Sequence, residues 1–150
     1  MPQSLSSILV HLVFSTKHRE PWLTPEIEPE LHAYLATVFQ GCDSPALIIN
    51  GDKDHVHALF ALTRTWSVAD LVEEVKKRSS KWIKTKGASF SQYYWQAGYG
   101  AFSVSQSQVE QVRRYIANQK PHHSKQSFQD EYRELLNKYG VEYDEKYVWD

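Results

Sequence analysis

The stretch ALIINGDKDHVHALFAL, residues 46–62, decides how this chain folds. Two apolar, β-prone runs flank GDKD, a polar tetrapeptide suited to a tight turn, so residues 46–50 and 55–62 read as two antiparallel strands. Alternation along the second strand sends His55, His57 and Leu59 to one face and Val56, Ala58 and Phe60 to the other. Two imidazoles so placed stand roughly 6–7 Å apart along the strand. Both can reach one metal ion.

Upstream, ILVHLVFST (8–16) has the β-branched, apolar character of a strand. A helix is expected from Thr24 as N-cap and Pro25 in the first turn, through LHAYLATVF, to Gly41. Downstream, Ser67 caps a helix whose stripe is Val68, Leu71, Val72, Val75 and Trp82, and AFSVS (101–105) reads as a fourth strand. Ser107 begins a third helix, with Val109, Val112 and Ile116 on one side, and Pro121 ends it. A last helix carries Phe128, Tyr132, Leu135, Leu136 and Tyr139 on one face, with a capping box at Ser127 and Asp130 and a stop at Gly140. This order predicts an α+β fold: a ferredoxin-like split βαβ (βαββαβ) antiparallel sheet with helices on one face, plus C-terminal helices. The other face of the sheet is expected to be open for a site or partner.

At 150 residues and 17.5 kDa the chain is expected to form one domain, 1–150, with a real core. A hydrophobic content of 41% and five Trp argue against disorder. Cys42 is the only cysteine, which excludes an internal disulfide or a Cys-based metal site and points to a reducing, cytoplasmic setting. No apolar run is long enough for a membrane span. ILVHLVF, interrupted by His11, does not read as a signal peptide. The net charge of −1 hides an asymmetry: KKRSSKWIKTK (76–86) holds six basic residues and no acid, whereas the C-terminal end is acidic. Only the basic segment would attract phosphate, although Glu73–Lys77 and Glu74–Arg78 spacings also fit a solvated helix face.

The histidine triplet alone is a weak motif. Two imidazoles are too few for a closed structural zinc site, so an ion held there would keep positions for water or substrate oxygens, as phosphate chemistry needs. Hydrogen-bonded or surface histidines are the plain alternative. In SQSQVEQVRRYIANQKPHH (105–123), Tyr115 and Gln119 stand i and i+4 on the expected third helix, flanking its apolar stripe. A phenol is a poor nucleophile until its charge is stabilised. A divalent ion on the two histidines and the Gln119 amide oxygen would supply that, and attack on phosphorus would conserve the bond energy for rejoining. A half-buried flanking tyrosine without chemistry shows the same periodicity.

Taken together, DHVHALF with His55 and His57, followed by YIANQ with Tyr115 and Gln119, resembles the single-tyrosine HUH transposases, small insertion-sequence enzymes that act on single-stranded DNA. HLVFSTKHREPWL, WQAGYGAFSVS and YIANQKPHH extend the resemblance over nearly the whole chain. It implies a ferredoxin-like core, Mg²⁺ or Mn²⁺ on His55, His57 and Gln119, and Tyr115 as nucleophile in cutting and rejoining through a 5′-phosphotyrosine. It also implies a homodimer, in which the tyrosine helix of one subunit completes the site of the other, and hairpin-containing element ends as substrate. Lys17, Arg19, Lys77, Arg78, Lys81 and Lys84 are the candidates for phosphate contacts. Trp82, Tyr93, Tyr94 and Trp95 are candidates for stacking on bases, with Trp82 assigned rather to the core. His122 and His123 read as a solvated turn, and the acidic tail has no derived role.

Two other readings stand beside this one. A domesticated relative would process chromosomal palindromic repeats with the same chemistry. A non-catalytic ferredoxin-like module would instead stack bases on strand aromatics, and HVHALFAL offers histidines there. A two-histidine phosphoesterase is excluded by the absence of paired His-x-Ser/Thr motifs.

Overall fold

The hairpin forms where its sequence places it. In the computed structural model, which describes residues 2–150, four strands make one sheet: β1 (Leu9–Ser15), β2 (Ala46–Asp52), β3 (His55–Ala61) and β4 (Gly100–Val104). Their spatial order is β2-β3-β1-β4, with every neighbouring pair antiparallel. The β2–β3 turn narrows to Lys53 and Asp54 because Gly51 and Asp52 join the ladder. With α1 (Glu28–Gly41) after β1 and α2 (Val68–Lys84) after β3, the chain realises the βαββαβ arrangement.

One face of the sheet carries Val10, Leu12, Phe14, Val56, Ala58 and Phe60 against Leu31, Leu35 and Phe39 of α1 and Leu71, Val72, Val75 and Ile83 of α2. Ser67 caps α2 by accepting from the Asp70 amide. Two helical expectations shift. Residues 25–27 form a turn whose amide bonds return to the Thr24 carbonyl, so α1 starts at Glu28 with Pro29 in its first turn; Thr24 makes no side-chain cap. The α2 stripe closes on Ile83, while Trp82 is half-buried and stacks on Tyr34 with ring centroids 5.0 Å apart.

The opposite face is not open. Three helices from the same chain cover it: α3 (Val109–Ala117), α4 (Gln119–His123) and α5 (Phe128–Lys138). Leu59 and Val104 pack on Val109 and Ile116 of α3, and Val13 and Phe102 pack on Phe128, Tyr132, Leu135 and Leu136 of α5. The physical reason is that Leu59, Val13 and Phe102 make the second face too apolar to leave in water. Beyond α5 the acidic tail has a structural role: Trp149 packs edge-on against Tyr132, and Arg133 pairs with Glu145. Among the described residues no helix is long and apolar enough to cross a membrane.

Candidate functional site

His55 and His57 lie on the sheet face that receives the C-terminal helices, and both are fully buried. They are hydrogen-bonded rather than sunk in an apolar core. His55 Nδ1 donates to Asp54 Oδ1 at 2.8 Å, and its Nε2 stands 2.9 Å from Gln119 Oε1. His57 Nδ1 shares a 2.8 Å hydrogen bond with Nε2 of His11, its diagonal neighbour on β1, while its Nε2 lies 2.9 Å from Glu131 Oε1. A partner on Nδ1 fixes each ring and aims Nε2 into the site, as metal-ligating histidines require.

The tyrosine helix is held above this pair by a polar tie and an apolar one. Asn50, paired with His57 across β2–β3, donates its amide to the carbonyls of Ile116 (3.0 Å) and Ala117 (3.3 Å), the last turn of α3. Ile116 is fully buried against Leu59 and Val104. The Tyr115 ring consequently stands 5.8 Å from that of His57 and 6.1 Å from that of His11, centroid to centroid. The expected continuous helix breaks here. Asn118 leaves helical geometry, so Tyr115 lies in the last turn of α3, which ends at Ala117, Gln119 begins α4, and Pro121 sits inside α4 instead of ending a helix. The two side chains still converge on one carboxylate.

That carboxylate is Glu131 of α5, which the sequence reading missed. Oε2 accepts from the Tyr115 hydroxyl and, at 2.9 Å, from Gln119 Nε2. Oε1 lies 2.9 Å from His57 Nε2, 2.9 Å from His123 Nε2 and 3.6 Å from His55 Nε2. The available signal was an acid on the apolar stripe of an amphipathic helix, between Phe128 and Leu135. His123, expected in a solvated turn, instead points into the cluster from α4 with its side chain 4% exposed; His122 keeps 30% exposure. His11 had a comparable signal, as a lone imidazole in an apolar strand.

The electrostatics follow from burial around one negative charge. Burial lowers the pKa of His57 from 6.5 to about 4, although its bond to Glu131 works against this. Burial, with His57 nearby, lowers that of His11 from 6.5 to about 3. Burial disfavours the Glu131 anion, but hydrogen bonds from His123 and His57 outweigh it and hold the carboxyl far below its usual range. For Tyr115, burial and then the Glu131 charge push the phenol well above its ordinary value of 10.

The donor chemistry fits a cation. His123 Nδ1 faces the Gln126 backbone carbonyl, which only accepts, at 2.7 Å; with Asp54 on His55, the Nδ1 protons of both rings are committed. The Nε2 atoms of His55 and His123 are therefore the ones turned toward Gln119 Oε1 and Glu131 Oε1, at 2.9 Å each. His55, His57, His123 and Glu131 each place a ligand atom within 4.8 Å of the others. Beside them, a cleft of about 540 Å³ opens along the phenol, walled by His11, Val104, Val112, Tyr115, Leu135 and Tyr139.

A family model described as "Transposase IS200 like" matches residues 4–119, most of the chain and all four strands. The chain belongs to the IS200-like transposases. The fold is shared with solved structures. A crystal structure of a Deinococcus radiodurans protein assigned as a transposase superposes with a TM-score of 0.62 at 23% identity, covering 79% of this chain and 98% of that one. A REP-associated tyrosine transposase, solved bound to a REP hairpin, gives 0.54 at 12% identity over 79% of this chain and 68% of its own. No curated protein sequence matches.

For this IS200-like transposase the structure divides the candidate DNA contacts. α2 packs on the sheet face opposite the histidines, so Lys77 and Lys81 are exposed in the layer remote from the site, and Arg78 pairs with Glu74 at 2.6 Å. Arg19 lies over the Trp149 ring and donates to the Trp149 carbonyl. Lys17 and Lys84 instead meet at one aromatic: their ammonium groups lie 5.7 and 4.6 Å from the ring centroid of Tyr94, which is 54% exposed. Tyr93 and Trp95 are buried in the core and offer no face to a base.

Proposed function

We propose that this IS200-like transposase cuts and rejoins single-stranded DNA through a covalent 5′-phosphotyrosine on Tyr115. His55, His57 and Gln119 would hold a divalent ion, offering Nε2, Nε2 and Oε1. One observation carries the reading: the Tyr115 phenol stands over His57 and belongs to the same hydrogen-bond network as His55, His57 and Gln119.

The chain's own groups fit each part of the step. The Tyr115 oxygen forms a bond to phosphorus while the bond from phosphorus to the 3′ oxygen breaks. Glu131 Oε2 accepts a hydrogen bond from the phenol and orients it; the phenol proton passes to solvent in the adjoining cleft, and the departing 3′ oxygen takes up a proton from solvent to become a hydroxyl. Reversal by another 3′ hydroxyl reseals the strand without an external energy source, since the phosphodiester is exchanged rather than hydrolysed. The bound cation would polarise the scissile phosphate and offset its growing charge. Asp54 and His11, on the Nδ1 atoms of His55 and His57, orient the rings. The cleft beside Tyr115 is the open approach for the strand.

Lys17 and Lys84 flank Tyr94 as a platform on which an unpaired base can stack between two phosphate contacts. Backbone bonds link this platform to the histidine hairpin: the Lys17 amide donates to the Tyr94 carbonyl, and the Thr16 amide donates to the carbonyl of Asp54, the residue that orients His55. A hairpin-bearing single strand is the substrate to try first, because a fold relative was solved with one. The C-terminal helices complete the site, which supports taking residues 1–150 as one transposase domain.

The test is incubation of the protein with labelled single-stranded DNA from the flanks of its own gene, with Mg²⁺ or Mn²⁺ and with EDTA. A metal-dependent adduct that maps to Tyr115 and vanishes in Tyr115→Phe supports the reading; strand binding with no adduct under any metal refutes it and leaves a binding module. Mixing Tyr115→Phe with His57→Ala tests the homodimer. Restored cleavage places the phenol of one copy in the site of the other, whereas none fits the arrangement seen here, with α3 over its own strands.

A further inference from the structure

Glu131 lies on α5, beyond residue 119 where the family match stops. Its carboxylate is buried, yet among the described residues no lysine or arginine pairs with it; every charged-group contact it makes is to an imidazole. A buried carboxylate is ordinarily paired with a cation or coordinated to a metal. Its oxygens also face different chemistry. Oε2 accepts from Tyr115 and Gln119 Nε2 and lies 3.3 Å from His122 Nε2, while Oε1 is turned to the Nε2 atoms of His57, His123 and His55 at 2.9, 2.9 and 3.6 Å.

Those separations suit ligation. Neighbouring donors on an octahedral ion with bonds of about 2.1 Å stand about 3.0 Å apart. Glu131 Oε1 to His57, Glu131 Oε1 to His123 and Gln119 Oε1 to His55 are each 2.9 Å. With Nδ1 of His55 engaged by Asp54 and Nδ1 of His123 by the Gln126 carbonyl, it is the Nε2 atoms of both rings that are aimed at these oxygens.

We propose that Glu131 Oε1 is a protein ligand of the divalent ion, supplied by a helix outside the family-matched segment. The inference rests on the transposase reading of His55, His57 and Gln119. It makes α5 part of the site: the carboxylate that grips the ion through one oxygen holds the nucleophile through the other. A set of imidazoles with a single carboxylate favours Mn²⁺ over Mg²⁺.

The full-length protein, stripped with EDTA, is titrated with Mn²⁺ alone, and free Mn²⁺ is read by electron paramagnetic resonance. Glu131→Gln is expected to weaken binding by about tenfold or more, Tyr115→Phe to leave it within threefold, and His55→Ala to abolish the tight site. A loss under threefold in Glu131→Gln, with His55→Ala still abolishing binding, overturns this inference and leaves the shared site intact. Equal losses in Glu131→Gln and Tyr115→Phe also overturn it, since the network rather than a ligand would then be responsible. Unchanged binding in His55→Ala removes the site and the inference with it. Circular dichroism accompanies each titration. If Glu131→Gln does not fold, Glu131→Asp decides by the same threefold criterion.

Discussion

Acidifying the metal-free protein should destabilise it well before its carboxylates titrate. His11 and His57 share a buried hydrogen bond, and burial sets their pKa values at about 3 and about 4, against 6.5 for an open chain. Each folded-state value is depressed, so the unfolded chain binds more protons between pH 6.5 and about 4, and stability falls as the pH drops through that window. Between about pH 7.5 and about pH 5, each histidine contributes a loss of about 2 kcal/mol, or about 4 kcal/mol together. His123 acts in the opposite sense: burial lowers its pKa, but Glu131 and the Gln126 carbonyl carry it above the ordinary value, so it gains stability as it protonates. Glu131, held low, loses its contribution only below its unfolded-state value of 4.5, outside the window. The net expectation is a loss of about 2–4 kcal/mol by about pH 5, a large share of a typical domain's stability. Urea unfolding followed by circular dichroism, in EDTA at both pH values, measures it. Equal or greater stability at the lower pH would refute the claim that these imidazoles are buried and neutral.

Ile116→Ala should lose about 2–5 kcal/mol in urea unfolding, because it empties a fully buried contact between α3 and the sheet. Asn50→Ala should cost only about 1 kcal/mol of stability yet reduce adduct formation sharply, since it frees the last turn of the tyrosine helix; unchanged activity would show that this tie does not position Tyr115. At Gly51 an added Cβ would stand 2.1 Å from the His55 carbonyl oxygen, so Gly51→Ala should displace the hairpin that carries the histidines and lower both melting temperature and Mn²⁺ affinity. Tyr94→Ala should weaken single-stranded DNA binding by about 1–3 kcal/mol in a fluorescence titration without changing the melting temperature; an unchanged affinity would remove the proposed platform.

The architecture was legible in the sequence because it rests on local periodicity. Alternation placed Val56, Ala58 and Phe60 on one face and the histidines on the other, and a 3.6-residue repeat marked the buried sides of α2 and α5. The site was half legible. His55, His57, Tyr115 and Gln119 stand out by type and order, and the structure brings them together. Periodicity reports which face of an element is buried, but not what that face meets. Only the tertiary packing decided that the second sheet face is roofed by the chain's own C-terminal helices. The same packing set Asn50 to tether α3, turned His123 inward and paired His11 with His57. It also placed Glu131 among four imidazoles and the phenol. An acid on an apolar stripe is costly to bury alone, and its purpose becomes visible only when elements distant in sequence supply the partners that make burial tolerable.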